Sequence, residues 1–472
     1  MHYLSTRSSH DLGSFCDVLL AGLAPDGGLA MPEYIPQIEH ATLSAWQKLS
    51  YQDLAFEVMR PYISDIPEAE LRGIIARSYT AEKFGSEAIT PLSRLGASNL
   101  YLLELSNGPS LAFKDIAMQF LGEVFEYVLA QRGERLNILG ATSGDTGSAA
   151  EYAMIGKDNV NVFMLSPHGR MSAFQQAQMY SLQEPNIVNI AVQGVFDDCQ
   201  DLVKAVNADA DFKSQYHIGA VNSINWARIL AQSVYYFKAY LASGVAIGEA
   251  VDVCVPSGNF GNLFSGYLAK SMGLPLRRLI VASNENDVLH EFFSTGKYRV
   301  RPGKEVAKTS SPSMDIGKAS NFERFIYLMS DGDGAQITRW WQEIEQGHIP
   351  SIYEHGTWQA VKESGLGAGR STHQDRLNTI AGIERRFARL IDPHTADGVF
   401  VGEQFAEENV PMICLETALP AKFEDTVMEA VGHPAERPAR FADIENLPKY
   451  VEVIENDIEK LKSLIAEKLA ES

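Results

Sequence analysis

Two short stretches combine glycines with hydroxyl and amide side chains just where apolar runs end. The first reads Gly140-Ala141-Thr142-Ser143-Gly144-Asp145-Thr146-Gly147 and follows the apolar run 136–139; the second reads Pro256-Ser257-Gly258-Asn259-Phe260-Gly261-Asn262 and follows 251–255. Glycines let the backbone turn tightly and approach a ligand, while the unpaired N–H groups of a following helix favour an anion. Each stretch is a candidate cradle for phosphate or carboxylate. Neither has the Lys-Ser or Lys-Thr ending of a P-loop or the spacing of a dinucleotide fingerprint, which disfavours ATP and NAD. Singly, either reads equally well as a chain reversal; a pair at strand C-termini, where open α/β sheets bind ligands, points to a site.

A third candidate is Lys114, in Asn107-Gly108-Pro109-Ser110-Leu111-Ala112-Phe113-Lys114-Asp115. Lysines are ordinarily solvent-exposed. This one has apolar neighbours, and desolvation lowers a lysine's pKa and frees its amine for an imine.

The elements that must position these residues follow from apolar periodicity. Short branched runs at 136–140, 160–165, 187–192 and 251–255 predict buried parallel strands, and 224–241 predicts a long helix with Trp226, Leu230, Val234, Phe237 and Leu241 on one face. Residues 1–95 read as a helical module, with Asp65 and Glu68 spaced as a capping box ahead of Leu71, Ile74 and Ile75. The stretches 297–318 and 363–374, rich in Ser, Pro, Gly and charge, read as surface loops, the first ordering on ligand binding. An amphipathic helix is expected over 456–471.

At 472 residues the chain is too long for one core, so several domains are expected. Forty basic against 60 acidic residues give a formal net charge of −20, which disfavours nucleic acid and leaves any anionic ligand to local donors. Cys16, Cys199, Cys254 and Cys414 are scattered, with no C-x-x-C pair. That argues against zinc or a disulfide framework and fits a reducing cytoplasm. No signal peptide or membrane span is expected.

The segments P-S-L-A-F-K-D, A-T-S-G-D-T-G and P-S-G-N-F-G-N, in this order, resemble the signature segments of threonine synthases. Residues 3–7, 22–29 and 417–423 resemble that family as well. The resemblance implies a pyridoxal-phosphate (PLP) enzyme of the tryptophan-synthase-β type: two open twisted α/β domains with the PLP site between them, plus a helical N-terminal domain. The expected division is 1–95 for the N-terminal domain, 96–135 with 245–435 for the large PLP-binding domain, 136–244 for the small domain and 436–472 for a helical extension.

It further implies that Lys114 carries PLP as a Schiff base and shuttles protons, that Ser257, Gly258, Asn259, Phe260, Gly261 and Asn262 bind the cofactor phosphate, and that Thr417 faces the pyridine nitrogen. Thr142, Ser143, Gly144, Asp145 and Thr146 would hold the substrate carboxylate. Two positions depart from the commonest pattern: Leu419, where many members have His, and Ser8, where many have Gly. The implied reaction turns O-phospho-L-homoserine and water into L-threonine and phosphate. Arg170 and Arg228 are the expected ligands of the substrate phosphate, because arginine is always charged and binds phosphate bidentately; a surface salt bridge is the alternative reading of each. A PLP lyase releasing 2-oxobutanoate and a non-catalytic PLP-binding homologue fit the same motifs. A monomer or homodimer acting on a small molecule is expected.

Overall fold

The computed structural model describes residues 1–8, 10–142 and 144–471. In chain order the strands are β1 (Tyr3–Ser5), β2 (Ala30–Pro32), β3 (Leu92–Arg94), β4 (Leu100–Glu104), β5 (Leu136–Ala141), β6 (Val160–Pro167), β7 (Ile187–Gln193), β8 (Ile218–Gly219), β9 (Val251–Pro256), β10 (Leu276–Ser283), β11 (Leu366–Arg370), β12 (Met412–Glu416) and β13 (Glu452–Glu455). They belong to two compact units, Met1–Asn107 with Ser223–Glu436 and Gly108–Asn222 with Arg437–Ser472.

In the first unit the sheet runs β11-β10-β9-β12-β4-β3, parallel except where β3 meets β4. β9 and β12 are buried along their whole length, which is why they read as continuous apolar runs. The polar exceptions are paired: Asp252 accepts hydrogen bonds at 2.6 Å from both Arg277 and Arg278, and Glu416 accepts one from Arg389 at 2.6 Å. The core joins Cys254, Ile280 and Cys414 to Ile380, Val399 and Val401 from two covering helices, His373–Phe387 and Pro393–Phe405.

Of the two expected loops, 297–318 is a loop with two short 3-10 turns, whereas 363–374 is not. The stretch 363–374 contains β11, in parallel register with β10 from Leu279↔Leu366 to Ser283↔Arg370. Gly369 serves close packing: a Cβ there would lie 2.6 Å from Val401 Cγ1. The second half of 297–318 is held by the chain's own hydrogen bonds. Asn284 Nδ2 donates to Thr309 Oγ1 and Asp315 Oδ1 at 2.9 Å, and Asn286 Nδ2 to Asp315 Oδ1 at 2.9 Å.

The N-terminal region contains strands as well as helices, since β1 pairs with β2. Its helix Tyr51–Met59 packs on the helix Trp226–Ala242, within the same compact unit. The expected capping box does not form. Helix Glu68–Ser78 starts after Pro67, which has no capping group, and Asp65 instead accepts from the Cys16 N–H at 2.8 Å. Leu71, Ile74 and Ile75 are buried as expected.

In the second unit the order is β13-β7-β6-β5-β8, all parallel. Its boundaries cut the chain differently from the expected division, and packing gives the reason. Helix Lys114–Arg132 lies against Asp145–Met154 so closely that a Cβ on Gly122 would sit 2.3 Å from the Ala153 carbonyl oxygen, so it groups with this unit. Trp226–Ala242 groups with the other. The tail adds β13 to the sheet edge, and helix Ile458–Glu471 buries Leu461 and Ile465 against Cys199 and Leu202. Among the described residues no helix is long and apolar enough to cross a membrane.

Candidate active site

In the first unit β9 and β12 are neighbours and parallel, so their C-terminal ends emerge at one edge of the sheet. The turn 257–262 leaves from β9 and Thr417 from β12. Gly258 faces the ordered 309–316 segment, where a Cβ would meet Met314 Cα at 3.0 Å. Phe260 has φ 64°, an unusual conformation for a bulky residue. It caps helix Gly261–Ser271, and its ring packs on Phe322 and Phe325 at centroid distances of 5.4 and 5.6 Å. The aromatic cluster offsets the backbone cost of about 1–3 kcal/mol.

Polar groups complete the turn. The Asn259 carbonyl accepts from Asn321 N and Nδ2 at 3.0 and 3.2 Å, and its side chain accepts from Ser320 Oγ at 3.0 Å. Asn262 Oδ1 accepts from Tyr235 and Tyr236 hydroxyls, while its Nδ2 is buried without an acceptor. Ser257 is buried, and its N–H donates to the Ala282 carbonyl. Thr417 is also buried; its N–H donates to Thr395 Oγ1 at 3.3 Å. Leu419 is half-buried.

Arg228 belongs to this unit. It is 3% exposed in the first turn of Trp226–Ala242, with Nε and Nη1 buried and without hydrogen-bond partners. Burial pulls its pKa down to about 10, which leaves it charged at pH 7. A buried cation without a counter-charge is costly. The next residue, Ile229, lies 3.7 Å from where a Cβ on Gly261 would be, so this helix turn adjoins the 257–262 turn.

In the second unit the turn 142–146 leaves from β5. Thr142 Oγ1 accepts from the N–H groups of Gly144 at 3.0 Å and Gly147 at 2.9 Å. Gly144 has φ 142°. Asp145 is buried as the first residue of its helix, with Gln175 Nε2 at 3.4 Å, and Thr146 is half-buried. Ser143 lies outside the described residues. Arg170 is exposed beyond the end of β6, the parallel neighbour of β5, and pairs with no described residue.

Lys114 is the half-buried first residue of helix Lys114–Arg132. The turn before it is fixed at several points. Leu111 takes φ 63°, Asp115 accepts from Ser110 N and Oγ at 2.9 and 2.7 Å, Arg440 donates to the Gly108 carbonyl, and Gln178 to the Ser110 carbonyl.

Residues 2–79 match the family model described as threonine synthase N terminus, 84–340 that of pyridoxal-phosphate dependent enzyme, and 395–465 that of threonine synthase, C-terminal. Threonine synthase of Methylobacillus glycogenes is 53% identical over 99% of this chain and 100% of its own length. This chain belongs to the threonine synthase family. The crystal structure of PLP-bound threonine synthase from Brucella melitensis matches at 42% identity and TM-score 0.95 over 99% of each chain. Yeast threonine synthase matches at 39% identity and TM-score 0.93, over 100% of this chain and 99% of that one.

Membership makes this a PLP-dependent protein with the fold of that family. In the first unit the helix N-terminus and the acceptorless Asn262 Nδ2 suit the cofactor's phosphate, and the unpaired Arg228 calls for a further anion. Asn321, Phe322 and Phe325, which fix the turn, escape sequence reading. They lie far along the chain in a segment with no glycine or strand-end signal, and only tertiary contact brings them to Asn259 and Phe260.

Proposed function

We propose that the chain catalyses the last step of threonine formation, converting O-phospho-L-homoserine and water to L-threonine and phosphate. The observation that carries this reading is the donor set of the first unit. A glycine turn and a buried, unpaired arginine can receive anions that a protein of net charge −20 would otherwise repel.

In this reading Ser257 to Asn262 bind the cofactor phosphate, Ser257 by its hydroxyl and the rest through the turn's free backbone N–H groups and Asn262 Nδ2, and Thr417 offers its hydroxyl to the pyridine nitrogen. PLP would supply an electron sink for removal of protons from the amino-bearing carbon and then from its neighbour. Lys114 holds the cofactor in the resting protein and, as a free amine, moves protons at Cα, Cβ and Cγ of the substrate. The fixed turn before it keeps the amine at one place.

Arg228 and Arg170 take the substrate phosphate and then the leaving phosphate. Arg228 is prepaid in desolvation, whereas Arg170 must give up water to bind. Thr142 acts mainly as the frame of its turn, since its oxygen already holds two backbone N–H groups. The carboxylate would then fall to the Thr142 hydroxyl hydrogen, Thr146 and the backbone of Ser143 to Asp145.

The product formed from phosphohomoserine by purified protein tests the reading: L-threonine and phosphate in equal amounts are expected. Release of 2-oxobutanoate would make the chain a lyase of the same substrate, and no turnover would make it a binding homologue.

A further inference from the structure

Behind the 257–262 turn lies a second buried arginine. Arg324 is 0% exposed in helix Phe322–Met329. Each of its hydrogen bonds goes to a neutral acceptor: Nη1 to Asn321 Oδ1 at 2.5 Å, Nη2 to the Ile224 carbonyl at 2.7 Å and Nε to the Ala30 carbonyl at 3.1 Å. Glu323 does not neutralise it by contact. That carboxylate accepts from Arg7 Nε and Nη2 at 3.1 Å and from Thr6 Oγ1 at 2.5 Å. Burial pulls Arg324 down to about 9, so the charge persists at pH 7.

The acceptors identify what this arginine organises. Asn321 grips the Asn259 carbonyl through its N–H and Nδ2, and Nδ2 also reaches the Ser223 carbonyl at 3.1 Å. Ile224 precedes Asn225, whose side chain caps the helix carrying Arg228. Ala30 lies in β2, so the same guanidinium ties the N-terminal strands to both. An amide side chain can rotate and exchange its oxygen and nitrogen; with Oδ1 fixed by a cationic donor, Nδ2 must face Asn259 and Ser223.

We propose that Arg324 is a positioning residue for the phosphate end of the cofactor, orienting Asn321 against the Asn259 carbonyl and anchoring the start of the Arg228 helix to β2. It rests on the reading of 257–262 as the cofactor-phosphate turn. Without Arg324 the turn loses the shape in which its N–H groups converge. The loss then falls on the phosphate and spares the rest of the cofactor.

The test compares PLP with pyridoxal, which lacks the phosphate, in equilibrium binding to wild type, Arg324→Gln and Asn321→Ala. Arg324→Gln should weaken PLP by roughly 10- to 100-fold and pyridoxal by less than about threefold. Asn321→Ala should reproduce the selective loss even if Arg324→Gln fails to fold, and the double variant should be no worse than the poorer single one. Arg324→Lys should restore part of the preference for PLP. Equal weakening of PLP and pyridoxal in Asn321→Ala, or none, would overturn the proposal. If the turn were not the phosphate site at all, Gly258→Val would also leave the ratio of PLP to pyridoxal affinity unchanged, which separates that failure from this one.

Discussion

The two glycine turns have similar composition but are built differently. The turn 257–262 is shaped from outside itself: Met314 presses on Gly258, Phe322 and Phe325 pin Phe260 in a left-handed conformation, and Asn321 holds the Asn259 carbonyl. The turn 142–146 is shaped mainly from within, by Thr142 accepting two of its own N–H groups. A turn braced by distant residues is preorganised for a ligand that stays, whereas a self-capped turn can release one at each cycle. This difference fits the proposed roles, a resident cofactor phosphate for 257–262 and a passing substrate carboxylate for 142–146.

The largest expected effect separates chemistry from retention. Lys114→Ala should lose threonine formation by at least about 10³-fold yet still bind PLP reversibly through the 257–262 turn, as read by turnover and by cofactor fluorescence after gel filtration. Borohydride should fix PLP covalently on Lys114 in the wild type; finding the label on another lysine would break the assignment.

Next come the arginines. Arg228→Ala should lower kcat/KM for phosphohomoserine by roughly one to two powers of ten, from loss of a charge-assisted contact worth about 1.5–3 kcal/mol. Arg170→Ala should cost less, within about tenfold, because its exposed charge is already hydrated. Slow deamination of L-serine, which has no phosphate, is the control and should hardly respond. An equal slowing of both substrates would mean that the arginine serves the cofactor or the fold.

Smaller effects sharpen the contrast between the turns. Gly258→Ala places a Cβ against Met314 Cα and should weaken PLP binding by about tenfold, with substrate KM little changed in PLP-saturated protein. Thr142→Val leaves two buried N–H groups without an acceptor, at about 1–3 kcal/mol each before relaxation. It should raise KM several-fold while PLP stays bound. Equal loss of cofactor in both variants would erase the division of labour.

The smallest effect is a difference in pH response. Burial pushes the Glu151 carboxyl, on the helix after the 142–146 turn, well above its usual 4.5. Its contribution is therefore full at low pH and is lost as pH rises through the folded value. Burial also raises Asp252 in β9, but the Arg277 and Arg278 hydrogen bonds outweigh it and hold the carboxyl below 3.8. That contribution is present above about pH 4 and is lost as pH falls through the folded value. Hydrogen exchange, corrected for intrinsic rates, should weaken first at β9 on acidification and first at Asp145–Met154 on alkalinisation. The same order in both directions would remove this distinction.

The strands are legible in the sequence, and so are the residue types that gather at their ends. The runs at 136–140, 160–165, 187–192 and 251–255 are strands to within a residue or two, because a buried parallel strand must be apolar on both faces. Glycine, hydroxyl and amide residues stand out where such runs stop, and Lys114 opens a helix after a turn whose glycine and proline are visible. What the sequence hid are features whose cause lies elsewhere in the chain. Gly369 looks like a loop residue but belongs to β11, and only the packing of Val401 shows why a side chain is excluded there. Asp65 has the spacing of a cap, yet Cys16 takes its hydrogen bond. The compact units join segments from distant parts of the chain, since helices group by the faces they bury and not by their order. Above all, the sequence marks Arg228 as a phosphate ligand or a surface salt bridge without saying which. Only the tertiary structure decided that its charge would be buried without a partner, because burial is a property of everything packed around a residue and no local spacing encodes it.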